Sequence, residues 1–484
     1  MGSAFSLSFG LPGVGALLHF DALTLFFCVL LAVQMLASGL AGLRRCFEFW
    51  GFGLGWILVL LAGDGLAAAP GVALVLVFTW QLRRRKRRDK VCTAGLIAAC
   101  LLNLVFYGVL RCGFAGVAPY WGVVVLSFGA LLLGGGALRA AFAVPLQSGL
   151  DGLLLAYEGG VVISLGLAMY SHACLQGQVT SLALRAVLLG LLVQAVLRPV
   201  FALGAFVVES AVGTTSLNWL GGLMRGMPRL GVLILVGVFS AAAVPPGPGF
   251  APLCLLVQAL LATAGQGGVL VHAGVALLLA WLGVAWALLL LATVRMIGMG
   301  FLGRPRSLHA AAAEDISRIS FWAMALPSAT LVPLALVPGL ILAFCSPILY
   351  QLVPHAPFVE LAYAPLTLLV LAGMALLLLG VVQARFGQGG LQEVPVWTDG
   401  FGRPPAWLPF GDPQTQTSAS SLTQPLAWLD LLALDIVRKA SCLARAQTQR
   451  LVKAVQHVQV RTGLAVLFGA LILALLIFGC VHGG

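Results

Sequence analysis

Apolar runs of about 20 residues recur from one end of this 484-residue chain to the other. A helix of that length spans a hydrocarbon core about 30 Å thick. The runs are rich in Leu, Ala and Gly and do not alternate with polar residues, so they read as helices rather than barrel strands. Charged residues make up only 9% of the chain, against about 25% in soluble domains. The expectation is an all-α, polytopic transmembrane helix bundle of about 11–14 spans. Its 59 glycines suit close helix packing in lipid, and its 24 prolines suit kinked or broken helices.

Candidate spans fall near 14–41, 46–62, 66–82, 91–110, 120–141, 149–171, 182–207, 229–247, 251–271, 273–299, 320–348, 361–385 and 463–481. Gly63-Asp64-Gly65 is a turn signal that splits 46–82 into a hairpin. Arg44 and Arg45 then share a face with the run from Arg83 to Lys90, which the positive-inside rule makes cytoplasmic. Five segments are expected. Residues 1–118 hold the N-terminal transmembrane helices and the basic loop, and 119–386 the transmembrane core. Residues 387–428 are a Gly/Pro/Ser/Thr-rich extramembrane loop, and 462–484 hold a last transmembrane helix. Between these two, 429–461 read as a lateral amphipathic helix. Leu432, Ile436, Ala440, Leu443, Leu451, Val455 and Val458 recur at helical spacing, opposite Arg438, Lys439, Arg445, Arg450 and Lys453.

The net charge of +12 could point to nucleic acid, but basic cytoplasmic loops account for it, so no nucleic-acid partner is expected. The N-terminus has no basic n-region and no clear cleavage site, so no signal peptide is expected. The 10 cysteines are scattered without a CxxC pair. There is no GxGxxG, no Walker A and no histidine pair at ligand spacing, so no cofactor or metal is expected in this chain.

Arg198 and Arg295 stand inside apolar runs. A charge at the centre of a bilayer helix costs roughly 2.5–3.5 kcal/mol on insertion scales, so such residues face protein or water and mark candidate ion paths. Arg keeps its proton under almost any condition, so it can hold a site together but is a poor relay. Pro199 removes a backbone donor beside Arg198, a place where a helix can break next to a charge. Other ionisable candidates are Asp21, Asp64, Asp151, Glu158, Glu209, His172 and His272. Glu158, next to Gly159-Gly160, is the most suggestive; an ion pair with Arg139 or Arg185 is the plain alternative. The two histidines read as helix-end residues.

Several strings resemble the large membrane subunits of formate hydrogenlyase and hydrogenase-four complexes, relatives of the antiporter-like subunits of complex I and of multisubunit cation/proton antiporters. Leu220 to Arg229 resembles that family's LGGL-x-x-x-MPR turn, and Val244 to Phe250 its LPPLNGF helix break. Phe301 to Ser307 matches its FLGRPRS loop letter for letter. Thr417 to Leu426 resembles its YTASSFAQPL, preceded by Pro395 to Phe401 where the family has PTW…GY. The resemblance implies an antiporter-like core and, among partners, other membrane and soluble subunits of a hydrogenase-like or complex I-like assembly together with the lipid bilayer.

The resemblance also implies a relay of buried Glu, Lys and His residues, and here the chain departs. Gln81 stands where the family has a Glu, and Gly152 where a string like DLKRLLAY has its first Lys. Gln194 and Arg198 replace the His and Lys of a string like NHALFKSLLFLGAG, and Arg295 replaces the Lys of ACFVKAFG. No match exists for the LP-x-AHP-x-APS segment, which implies that part of the first half-channel is missing. Gln has no titratable proton and Arg has a pKa above about 12, so each matched position loses its relay chemistry. The expected polar axis is Gln81, Glu158, Gln194, Arg198, Glu209 and Arg295. The expected function is an integral membrane subunit in a bacterial inner membrane, mainly a scaffold or anchor and not itself catalytic. The alternative is an active H⁺ or Na⁺ translocating subunit with an altered path.

Overall fold

A computed structural model describes residues 5–7, 18–40, 47–62, 71–75, 77–78, 100–111, 118–266, 268–303, 305–353 and 364–386. Two short antiparallel strands, β1 (Phe5–Leu7) and β2 (Leu18–Phe20), precede an otherwise helical fold. The N-terminal helices are α1 (Ala22–Leu40), α2 (Phe47–Leu61) and α3 (Cys100–Arg111). The core helices are α4 (Pro119–Phe142), α5 (Leu146–Ala173), α6 (Gly177–Val212), α7 (Pro228–Ala241), α8 (Phe250–Gln266) and α9 (Val269–Met296). After them come α10 (Arg318–Ala329), α11 (Leu331–Leu336), α12 (Pro338–Phe344), α13 (Ser346–Leu352) and α14 (Pro365–Phe386). Among the described residues seven helical stretches are long and apolar enough to cross a membrane, with four shorter apolar helices beside them. The chain is a multi-pass, all-α membrane protein. The expected extramembrane loop, lateral helix and last span, 387–484, lie outside the described residues, as do the basic run and Asp64.

The α4–α5 hairpin is the most extensive helix contact. Its cause is a glycine stripe on each helix at seven-residue intervals. Gly122, Gly129 and Gly136 of α4 face Gly166, Gly159 and Gly152 of α5 in antiparallel order. A Cβ on Gly129 would stand 2.6 Å from the Ile163 backbone nitrogen, so a side chain of any size pushes the helices apart. Lipid supplies little hydrophobic drive between helices, and close backbone approach supplies van der Waals contact instead. The other face of α5 packs on α6, which is mostly buried and forms the centre of the bundle.

Loops at one end tie the core together. Leu146 N donates to Thr215 O at 2.7 Å and Leu217 N to Val144 O at 3.0 Å. Gly213, at φ 79°, caps α6 in the left-handed region. Gly221 and Gly222, at φ 134° and 63°, make the LGGL turn, and Gly222 N donates to Leu302 O at 2.9 Å. Those conformations favour glycine because they crowd a Cβ.

Two expectations are corrected. Residues 320–348, read as one span, are cut into α10 to α13, with Pro327, Pro333, Pro338 and Pro347 spaced through the segment. A proline cannot donate the hydrogen bond that one continuous helix would need at its position, and Pro338 and Pro347 each stand in the first turn of a new helix instead. Pro199, by contrast, lies within an α6 that runs on through it for 36 residues.

A separate clasp joins the N-terminal helices to the later ones. Asp21 Oδ1 accepts from Thr24 N and Oγ1, each at 2.8 Å, and Oδ2 accepts from Arg111 at 3.1 Å and Gln351 at 2.7 Å. Burial pushes this carboxyl up. The bonds from Thr24 and Gln351 and the Arg111 charge outweigh it, holding the carboxyl below the usual range.

Candidate ion-path residues

Glu158 lies 12 residues into α5, about 18 Å along its axis at 1.5 Å per residue. Arg198 stands 14 residues before the end of α6, at a similar depth. Their side chains form an ion pair, 8% and 16% exposed. This corrects the partner expected for Glu158: Arg139 instead pairs at 3.7 Å with Asp151, on the exposed side. Gln194, one helical turn before Arg198 and fully buried, leaves both Oε1 and Nε2 without a hydrogen-bond partner.

Arg295 lies elsewhere. It stands in the last turn of α9, 4% exposed, and its guanidinium donates to Ala140 O at 3.2 Å and to Ala143 O. These carbonyls belong to the last turn and C-cap of α4. The final carbonyls of a helix lack intrahelical donors, and a cation there also complements the helix dipole. Arg295 therefore does for α4 what a capping residue does.

Gly152, at the matched first lysine, sits within the glycine stripe. A Cβ there would stand 2.5 Å from the Ala140 backbone nitrogen. The position holds a helix–helix contact and has no room for a lysine while α4 and α5 stay packed.

Of the expected axis, the structure brings together Glu158, Gln194 and Arg198. Glu209 is 11 residues beyond Arg198, about 16 Å further along α6, and half-buried. Arg295 joins the end of α4, and Gln81 lies outside the described residues. His172 and His272 stand at helix ends, His272 with its Nδ1 3.0 Å from Gly268 O. Among the described residues no three His, Cys, Asp or Glu side chains gather as a metal site would require.

Sequence reasoning missed a second buried polar group. Gln34 of α1 accepts from Asn103 Nδ2 at 3.3 Å and from Cys100 Sγ at 3.5 Å, both on α3, and all three are buried. The available signal was two amides inside apolar runs.

No protein-family model matches the chain. It is similar to Hydrogenase-4 component B of Escherichia coli (strain K12), 26% identical over 289 residues, which is 59% of this chain and 43% of the relative. It is similar to formate hydrogenlyase subunit 3 of the same strain, 29% identical over 224 residues, 45% of this chain and 36% of the relative. The chain thus matches less than half the length of these curated relatives. In fold it is similar to a chain of the membrane-bound sulfane sulfur reductase, an archaeal respiratory membrane complex. That likeness has a TM-score of 0.67 at 16% identity and covers 98% of this chain and 92% of that one.

Proposed function

Starting from a chain that is a divergent relative of the hydrogenase-four and formate hydrogenlyase large membrane subunits, we propose that it is the integral membrane subunit of a hydrogenase-like or complex I-like respiratory assembly, acting mainly as scaffold and anchor. It resides in a bacterial inner membrane. Its partners are another membrane subunit and soluble subunits, and any redox cofactor belongs to those partners.

One observation carries the scaffold reading: the matched relay positions are spent on packing. Gly152 holds α4 against α5, and Arg295 caps α4. Neither can take up and release a proton in those roles. Arg198 is tied up in an ion pair with Glu158 that joins α6 to α5.

The second reading, an H⁺ or Na⁺ translocating subunit with an altered path, draws on Glu158, a titratable carboxyl kept at mid-depth beside Arg198. The test between membership and solitary function is purification of a tagged chain from native membranes in mild detergent. The scaffold reading expects co-purification with soluble redox subunits and a second membrane subunit. A monodisperse chain that carries ions alone contradicts it.

A further inference from the structure

Two loops meet at one end of the core and carry arginines without acidic partners. Gly226, in the short turn Leu223–Gly226, lies against the loop that follows α9: a Cβ there would stand 2.6 Å from Ala313 O. Arg229 N donates to Asp315 Oδ2 at 3.2 Å, and the Arg229 side chain pairs with the same carboxylate at 3.8 Å. These contacts place Arg225, next to Gly226, and Arg318, three residues after Asp315, on either side of one ion pair. Both are exposed, and among the described residues neither makes an ion pair. Arg229 and Asp315 balance each other, so Arg225 and Arg318 leave an excess of positive charge that the exposed Glu314 offsets only in part.

These groups lie at the depth of lipid headgroups. Arg318 is the first residue of an apolar stretch, Arg318–Leu336, long enough to cross a membrane, and Arg225 stands three residues before α7. Beyond Arg318, Ile319, Trp322 and Leu326 are exposed at helical spacing on α10, a stripe that runs from the charged end into the apolar layer. A tryptophan one turn in from a charged helix end suits a membrane–water interface.

We propose that this corner binds an anionic phospholipid, with Arg225 and Arg318 on the headgroup phosphate and an acyl chain along Ile319, Trp322 and Leu326. A guanidinium presents its donors in a fork that matches two phosphate oxygens. The apolar stripe beside the charges selects a lipid, because a free phosphate or an acidic protein loop would leave it uncovered. The excess of positive charge selects an anionic headgroup, because the ammonium of a zwitterionic one would meet the same arginines. The site is independent of the scaffold reading and holds whether or not the chain conducts ions.

Native mass spectrometry of the full chain, released from nanodiscs of equal parts phosphatidylglycerol and phosphatidylcholine, tests this. The wild type is expected to retain phosphatidylglycerol in preference. Arg225→Gln and Arg318→Gln should each lower that preference about fivefold, the share of one basic residue near an anionic surface. Glu314→Gln should raise it, whereas Arg139→Gln, at an arginine already paired with Asp151, should leave it unchanged. All four positions are exposed, and an unchanged melting temperature in detergent shows that each variant is folded. Equal retention of the two lipids by the wild type, or a preference that survives Arg225→Gln with Arg318→Gln, overturns the proposal. Binding of inorganic phosphate at these arginines with no preference between the lipids overturns it too.

Discussion

A guanidinium and an ammonium differ most where the charge is buried, and Arg295 shows it. Its Nη2 donates to two carbonyls of one helix end, Ala140 O and Ala143 O, acceptors that the helix itself leaves unmet. Arg295→Gln is expected to lower stability by about 1–3 kcal/mol, read as a reduced melting temperature in detergent, because buried acceptors are left unmet. Arg295→Lys should recover only part of the loss, and full recovery would show that charge alone suffices. At Glu158 the expected effect is larger. Glu158→Gln strands Arg198 and should cost about 3–5 kcal/mol. Glu158→Gln combined with Arg198→Gln should cost less than the single change, and a double-mutant cycle measures the coupling. Both arginines were visible in the sequence as charges in apolar runs. Their roles were not, because Glu158 and Arg198 lie 40 residues apart and on different helices. The likeness of Arg295 and Arg198 in sequence context also hid their separation in depth.

Glycine placement decides how the helices pair. Gly129→Leu is expected to separate α4 from α5 and to lower stability by about 1–3 kcal/mol or more through overpacking. Gly135, one helix face away, meets nothing within 4 Å. Gly135→Ala should be neutral or stabilising by up to about 1 kcal/mol, since Ala is the better helix former. A melting series in detergent distinguishes the two, and equal effects would sink the stripe argument. The seven-residue repeat of glycines was present in the sequence, but a count of 59 made each one unremarkable until two helices faced each other. The apolar runs located α4, α5 and α14 within a few residues of the observed ends, because length and hydropathy alone set them. The segment 320–348 misled because hydropathy is blind to the backbone donor that each of its prolines lacks.

Across the molecule, among the described residues, the Asp21 clasp ties the N-terminal helices to α13 through Gln351, while the Gln34 group joins α1 to α3. The clasp is the pH-sensitive one. Its carboxyl is held below the usual range, so its stabilisation is fully present above the unfolded-state value of about 3.9. It is lost only as pH falls through the lower folded value. Stability from the clasp should therefore be flat from about pH 8 to pH 5 and fall below about pH 4. Asp21→Asn should melt lower across the whole range and lose that acid limb, as thermal melts against pH would show. The larger claim is that the fold has kept its helical casing while the relay positions became contacts. The most direct measurement is proton flux into proteoliposomes that hold the purified chain under an imposed potential. The wild type is expected to leak no faster than the double variant Glu158→Gln with Arg198→Gln. A wild-type flux well above that of the folded double variant would mean that protons still pass through the Glu158–Arg198 pair, contrary to this account.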